Sequence, residues 1–430
     1  MTPRPSSRWA IIGIDRRMRR ALGLVAICVA VPGIATAQEA PQLELGGMVR
    51  ARAELYDGRP FGPVGPGEDD YILWRALAHA ELKADEDWTA YVQIGLHAQS
   101  GRDRGPAPTD RGAPDIRQAY IDVRLGDRVR VKAGRQELFF GSSRLVSARD
   151  GPNLRRVFDG ARLAYRRARW RADAFLARPV EDRPGAFDDR GDRGQLFGGL
   201  YVTRTAGAHG LDLYYLYLAR DDVRFGVDSA DERRHSFGTR LFGRSGSFDY
   251  NLEAVVQTGS FGAKSIGAWT VASDLGVTFA QRPFAPRIGL KANITSGDGS
   301  SGDNRLGTFN PLFPNLSYFN EAALLAPQNH MDIHPSLTLS LTPRLQVTGG
   351  ADWFWKTRRS DDIYRGPGVG IGARGGHRTI GRQADINVRW RPAGAVEVKL
   401  AYVRFDVGEA LQRRSGADLN YLMASIQSAF

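Results

Sequence analysis

The feature that most limits what this chain can become is a two-residue alternation of apolar and polar side chains, which begins at Leu43 and recurs to the end. Leu43, Leu45, Val49, Ala51, Ala53 and Leu55 interleave with Glu44, Arg50, Arg52 and Glu54. Trp74, Ala76, Ala78, Ala80 and Leu82 interleave with Arg75, His79, Glu81 and Lys83. Ala384, Ile386, Val388 and Trp390 interleave with Gln383, Asp385, Asn387 and Arg389. This period puts one class of side chain on each face of a strand. The pattern weakens at 195–204 and 210–219, where Tyr and Leu occupy both faces.

The connections between these segments alternate in length. Short ones fall at 84–87, 126–127, 166–169, 205–210, 243–246, 281–285, 342–344 and 391–394. Long ones fall at 57–70, 99–114, 139–157, 179–194, 221–233, 258–264, 297–331, 357–378 and 407–418. Eight short and nine long connections join eighteen strands. The expected fold is therefore all-β: a transmembrane antiparallel β-barrel of about 18 strands, with short periplasmic turns and long extracellular loops. Trp88, Trp170 and Trp390 sit beside short turns on the apolar face, as an interfacial girdle requires. The chain closes on Leu422, Ala424, Ile426, Ser428 and Phe430, an ending typical of bacterial outer-membrane proteins. A soluble propeller or solenoid explains neither the length alternation nor the polar second face, and no repeat of fixed length is present.

Before the first strand, Arg16–Arg20 form a basic cluster, an apolar run extends to about Ile34, and Ala35-Thr36-Ala37 is a small-x-small site. Residues 1–37 read as a cleaved secretory signal peptide and 38–430 as the barrel, placing the protein in a Gram-negative type outer membrane. The one cysteine, Cys28, leaves with that segment, so no disulfide, thiolate metal site or thiol nucleophile is expected. Cleavage also removes six arginines and one aspartate, leaving +7 of the formal +12. Of the 59 basic residues only six are lysine. Arginine grips carboxylates and phosphates with a planar fork, and an exported basic chain meets acidic sugars or lipid headgroups rather than nucleic acid.

Lipid outside forces the polar face inward. The expected wall carries Arg50, Arg52, Arg75, Arg124, Arg130, Lys132, Arg162, Arg171, Arg240, Lys291, Arg389 and Lys399. Acids are interspersed: Glu81, Asp122, Asp173, Asp249, Asp274, Asp352, Asp385 and Glu397. Most of these arginines read as partners in wall salt bridges, and the functional reading rests on the basic surplus. The 139–157 loop, with four arginines and few apolar anchors, is expected to fold partly into the lumen. The 297–331 loop, with Phe309, Leu312, Phe313, Tyr318 and Phe319, is expected to pack as a lid or plug at the extracellular mouth. Asp298, Asp303 and Asn304 lack the spacing of a calcium loop and read as solvated. No metal or cofactor is expected. There is no G-x-S-x-G elbow and no HExxH; His79 and His97 face the lumen near acids, but no Ser is placed by sequence to complete a triad, so they read as wall residues and an outer-membrane lipase or protease is not expected.

The stretch AGRQELFFGSSRLVSARDGPNLRRVFDGARLAY, from Ala133 to Tyr165, resembles the alginate export family of outer-membrane barrels. TFNPLFPNLSYF, followed by HPSLTLSLTP, resembles a second segment of that family. The resemblance implies an eighteen-stranded barrel with a basic, loop-constricted lumen that passes a polyuronate. It further implies that Arg135, Arg155, Arg156 and Arg162 line the pore. The expected function is passive passage of an anionic polysaccharide such as alginate. A general porin for small acidic solutes is the alternative, and a purely adhesive surface barrel would not need the basic interior. The expected partners are sugar acids, outer-membrane lipid and periplasmic export proteins, around a monomeric barrel.

Overall fold

A sheet of alternating strands keeps two unpaired edges unless it closes on itself. The structure, a computed structural model, describes residues 41–430 apart from 65, 66, 104, 227 and 301. The expected signal peptide, 1–37, lies outside the described residues. Among the described residues, eighteen strands form a closed ring: β1 (Gln42–Asp57), β2 (Asp69–Lys83), β3 (Trp88–Ser100), β4 (Gly112–Leu125), β5 (Val129–Gln136), β6 (Phe158–Arg167), β7 (Trp170–Glu181), β8 (Gln195–Ala206), β9 (His209–Phe225), β10 (Asp228–Ser245), β11 (Phe248–Phe261), β12 (Lys264–Thr278), β13 (Arg287–Thr295), β14 (His330–Thr342), β15 (Leu345–Lys356), β16 (Thr379–Ala393), β17 (Val396–Val407) and β18 (Leu419–Ala429). Each pairs antiparallel with the next, and β18 returns to β1 with Ile426 opposite Ala51. Two-residue pieces at Arg190–Gly191 and Arg305–Leu306 extend the sheet beside the ring.

The seam depends on a glycine. The Gly47 N–H donates to the Phe430 carbonyl at 2.9 Å, and the Phe430 N–H donates to the Gly47 carbonyl at 3.1 Å. A Cβ on Gly47 would lie 2.6 Å from the Phe430 ring and 2.6 Å from the Leu77 carbonyl oxygen. Only a residue without a side chain fits there.

The outer face is apolar, as hydrocarbon requires. Leu45, Val49, Trp74, Ile121, Leu163, Leu213, Phe237, Val256, Ile386 and Ile426 are all exposed on it. Trp88, Trp170 and Trp390 are exposed at or near the ends of β3, β7 and β16, beside short turns.

The eight short connections fall where expected. Two expected long ones do not exist. The 221–233 and 258–264 segments are mostly strand: β9 runs to Phe225 and β10 begins at Asp228, and β11 runs to Phe261 and β12 begins at Lys264. Their polar composition looks like loop, but the charges are paired across the ladder. Arg220 binds Glu232 at 2.7 Å and Arg233 binds Asp221 at 2.8 Å. β9 and β10 consequently run 17 and 18 residues, well beyond the 9–11 or so that cross a bilayer.

Where the alternation weakens, the inner face meets protein instead of water. Phe197, Tyr201, Tyr214 and Leu216 of β8 and β9 are buried against Phe140, Leu145 and Val146 of the 137–157 loop and Phe309, Leu312 and Phe313 of the 296–329 loop. The 137–157 loop therefore does have apolar anchors, contrary to the sequence expectation. Each fully buried aromatic is worth roughly 1.5–3 kcal/mol. Phe319, from the second loop, joins a separate core with Phe354 and Phe405.

Candidate functional site

β5 has eight residues and β6 ten, so the wall between them ends early and the chain turns inward. Gly134, still paired on both sides within β5, takes φ 125°, where a Cβ would meet the Ala119 carbonyl oxygen at 2.2 Å. The loop then attaches to distant parts of the ring. Arg75 on β2 contacts the Asp150 carboxylate at 2.7 Å and donates to the carbonyls of Asp150, Pro152 and Asn153. Arg50 on β1 donates to the Asp150 carbonyl at 2.7 Å. The Asn153 amide donates to the Trp74, Ala98 and Asp110 carbonyls. Nearer the loop's start, Ser142 and Arg144 bind Glu253 on β11 at 2.8 and 3.1 Å. A loop that holds β1, β2 and β11 at once crosses the interior of the ring.

The second long loop joins it. Glu321 accepts from Arg52 on β1 at 3.0 Å, and the Asn310 carbonyl accepts from Gln257 on β11 at 2.7 Å. Arg144 of the first loop donates to the Tyr318 hydroxyl of the second at 2.7 Å. Within the second loop Asp298 accepts the Gly307 N–H at 3.0 Å, and burial raises its carboxyl above the ordinary range.

The expected wall residues fall into small groups in which one carboxylate serves several cations. Asp122 holds Arg130 at 2.9 Å and Lys132 at 3.6 Å. Asp173 holds Arg162 at 2.6 Å and Arg171 at 2.8 Å. Glu397 faces Lys399 at 3.3 Å, Arg391 at 2.9 Å and Arg389 at 3.8 Å. Arg124 sits at the short-turn rim, 3.4 Å from Asp127. Arg135 forks onto Asp159 at 2.8 and 3.1 Å and also donates to the Ile116 and Asp189 carbonyls, bracing the wall. Arg155 pairs with Glu137 at 2.8 Å.

Asp352 and Asp385 stand apart from the arginines. Asp352 is fully buried 3.2 Å from His334 Nδ1, and Asp385 lies 3.7 Å from His334 Nε2 and accepts from Asn387 at 2.7 Å. His334 was not among the candidates, because a lone histidine in a strand carries no pattern.

Two guanidiniums of the crossing loop differ from all these. Arg149 and Arg156 make no ion pair within 4 Å among the described residues. Arg156 has only the Ser147 carbonyl at 3.5 Å and the Phe313 ring at 5.0 Å. Burial and neighbouring Arg149 push its guanidinium down from its ordinary value, and burial does the same to Arg149. Arg149 also holds a left-handed backbone, φ 57°, which favours glycine. Asp150 is the counterpart. Partial desolvation against the wall pushes its carboxyl up, but Arg75, Arg155 and Arg50 outweigh that and hold it well below the usual carboxylate range. Arg149 and Asp150 were invisible as a pair in the sequence, since their roles depend on which wall residues the loop reaches.

Among known proteins, the model of the family described as "Alginate export" matches residues 41–425. No curated protein matches the chain. Solved structures share its fold at low identity. The Pseudomonas aeruginosa protein OpdK, solved with vanillate, is 13% identical with a TM-score of 0.62, covering 90% of this chain and 98% of its own. OccK11 (OpdR) from the same organism is 13% identical with a TM-score of 0.59, covering 90% and 96%. OccAB1 of Acinetobacter baumannii is 11% identical with a TM-score of 0.60, covering 90% and 96%. The closed ring, its apolar exterior and a family match over nearly all the described residues lead to one conclusion: this outer-membrane β-barrel belongs to the alginate export family.

Proposed function

We propose that the barrel is a passive outer-membrane channel for anionic sugars, with a uronate polymer such as alginate as cargo, and that it has no catalytic role. The observation that carries this reading is the unpaired state of Arg149 and Arg156 in a loop that crosses the interior. A guanidinium stays charged at any pH the outer membrane meets, so its burial cost cannot be relieved by losing a proton. It persists as a standing affinity for a carboxylate. The shared acids Asp122, Asp173 and Glu397 supply the rest of the argument, since each leaves its cations only partly compensated. Arg124, Arg130, Lys132, Arg135, Arg155, Arg162, Arg171, Arg389 and Lys399 then form the rest of the polar path, while Arg75 holds the crossing loop in place. Conduction needs several such weak sites rather than one tight one.

A second reading, import of small acidic solutes, is favoured by the two loops that occupy the interior. OpdK, whose fold this chain shares, was solved with a small aromatic acid. Planar-bilayer currents separate the two. A small-solute porin conducts openly as it stands, whereas a polymer channel opens only in brief events, from which block and reversal potential are still read, until residues 139–157 are deleted. Reversal potentials with and without mannuronate oligomers test the reading as a whole; absence of any anion preference would sink it. We also propose that residues 1–37 are removed on export, which N-terminal sequencing of the mature protein checks.

A further inference from the structure

Where the chain leaves β5 it passes through two adjacent phenylalanines with opposite fates. Phe140 is buried, stacked 5.0 Å from the Phe175 ring and 5.1 Å from Tyr201. Phe139 is 44% exposed, although Leu138 and Phe140 on either side of it are buried. It lines a cavity of about 530 Å³ whose other walls come from β6 to β10 and the turn at 168–169. The cavity lies between the crossing loop and the periplasmic end of the ring. Its size suits one or two sugar rings.

The charge in this cavity is unbalanced. Asp212 is taken up by Arg240 at 2.7 Å, the Tyr201 hydroxyl at 2.6 Å and the Thr203 hydroxyl at 2.7 Å. Asp173 is already divided between Arg162 and Arg171. Arg166 and Arg169 also line the cavity, and neither has an acidic partner among the described residues. An inorganic anion would need only the arginines. An exposed aromatic ring beside them has a use only for a ligand with an apolar face as well as a carboxylate.

We propose that this cavity is a periplasmic docking subsite for a single acidic pyranose, its C–H face on Phe139 and its carboxylate held by Arg166 and Arg169. The proposal rests on the reading that the cargo is acidic carbohydrate. It adds a location, a side of the membrane and a requirement for a ring. A planar guanidinium fork matches a carboxylate, and the aromatic ring offers a flat apolar surface to the sugar.

The test uses the full-length barrel in planar bilayers, with trimannuronate added from the periplasmic side and citrate as a carboxylate without a ring. F139A is expected to raise the half-blocking concentration of trimannuronate about tenfold and to leave citrate block and the KCl reversal potential unchanged. F139L, which keeps bulk but loses the ring, is expected to behave like F139A. The double variant R166Q/R169Q is expected to weaken both blockers. Heat-modifiable gel migration checks that each variant folds. Unchanged trimannuronate block in F139A and F139L overturns the subsite, as does equal loss of citrate block. If the wild type shows no anion preference at all, the broader reading fails instead, so the two failures are distinguishable.

Discussion

The guanidinium of Arg75 lies 2.7 Å from the carboxylate of Asp150, across 75 residues of sequence, and this contact pins the crossing loop to the wall of the ring. Arg75 is buried, while the Asp150 side chain is about half exposed at 49%. The three loop carbonyls that Arg75 also binds therefore matter as much as the ion pair.

Replacing Arg75 by Met should release residues 150–153 without opening the ring. Each buried carbonyl left unmet costs about 1–3 kcal/mol. Single-channel conductance is expected to rise severalfold while the heat-modifiable folded band persists. Unchanged conductance would show that the loop is held by its apolar anchors alone.

Arg149→Glu and Arg156→Glu place acids where no carboxylate stands now. The reversal potential in a KCl gradient should move toward cation preference in each single variant and further in the double. Arg162→Glu makes a useful contrast. It sets a second acid beside Asp173, so it should lower the yield of folded barrel as well as change selectivity.

The seam predicts a different failure. Gly47→Val drives a branched side chain toward the Phe430 ring and the Leu77 carbonyl. Overpacking of this kind costs about 1–3 kcal/mol, enough to lower the urea midpoint of unfolding. Leu45→Ala, on the exposed face of the same strand, should move that midpoint less in detergent.

Two loop acids respond to pH in opposite directions. Burial, with Asp115 and Asp182 nearby, pushes the Asp189 carboxyl up to about 6. Its docked form binds a proton more tightly than the free loop, so its contribution is complete below about pH 4 and is lost as pH rises through about 6. Asp150 is shifted downward, so its contribution is present above about pH 4 and disappears only in stronger acid. Raising pH from about 5 to 7 should lower the amide protection factors, corrected for the intrinsic pH dependence of exchange, in 182–194 and leave those of 150, 151 and 153 unchanged. Equal change in both segments would contradict the assignment.

The fold was readable because a barrel strand writes its two environments in alternate letters, and because turn length is set by which side of the membrane a connection faces. The exceptions have physical causes. At β8 and β9 the inner neighbours are loop aromatics, so Phe197 and Tyr214 sit where a polar residue was expected. At 221–233 the acids and arginines stabilise a ladder that their polarity disguised. The candidate residues were harder to read. Period alone identifies the face that Arg75 or Arg162 occupies, but not that Arg75 is spent on a loop while Arg156 is left without a carboxylate. That difference arises from contacts between segments far apart in sequence, which no local pattern records.

If the barrel carries acidic sugars as proposed, Asp173, held between Arg162 and Arg171, has a consequence for the speed of traffic. A resident carboxylate shared by two cations acts as a placeholder. An arriving sugar acid can take over one guanidinium while Asp173 keeps the other, so no charge is stranded during the exchange. In that channel, motion along the wall would be a series of partner swaps, and fast release would be compatible with strong overall attraction.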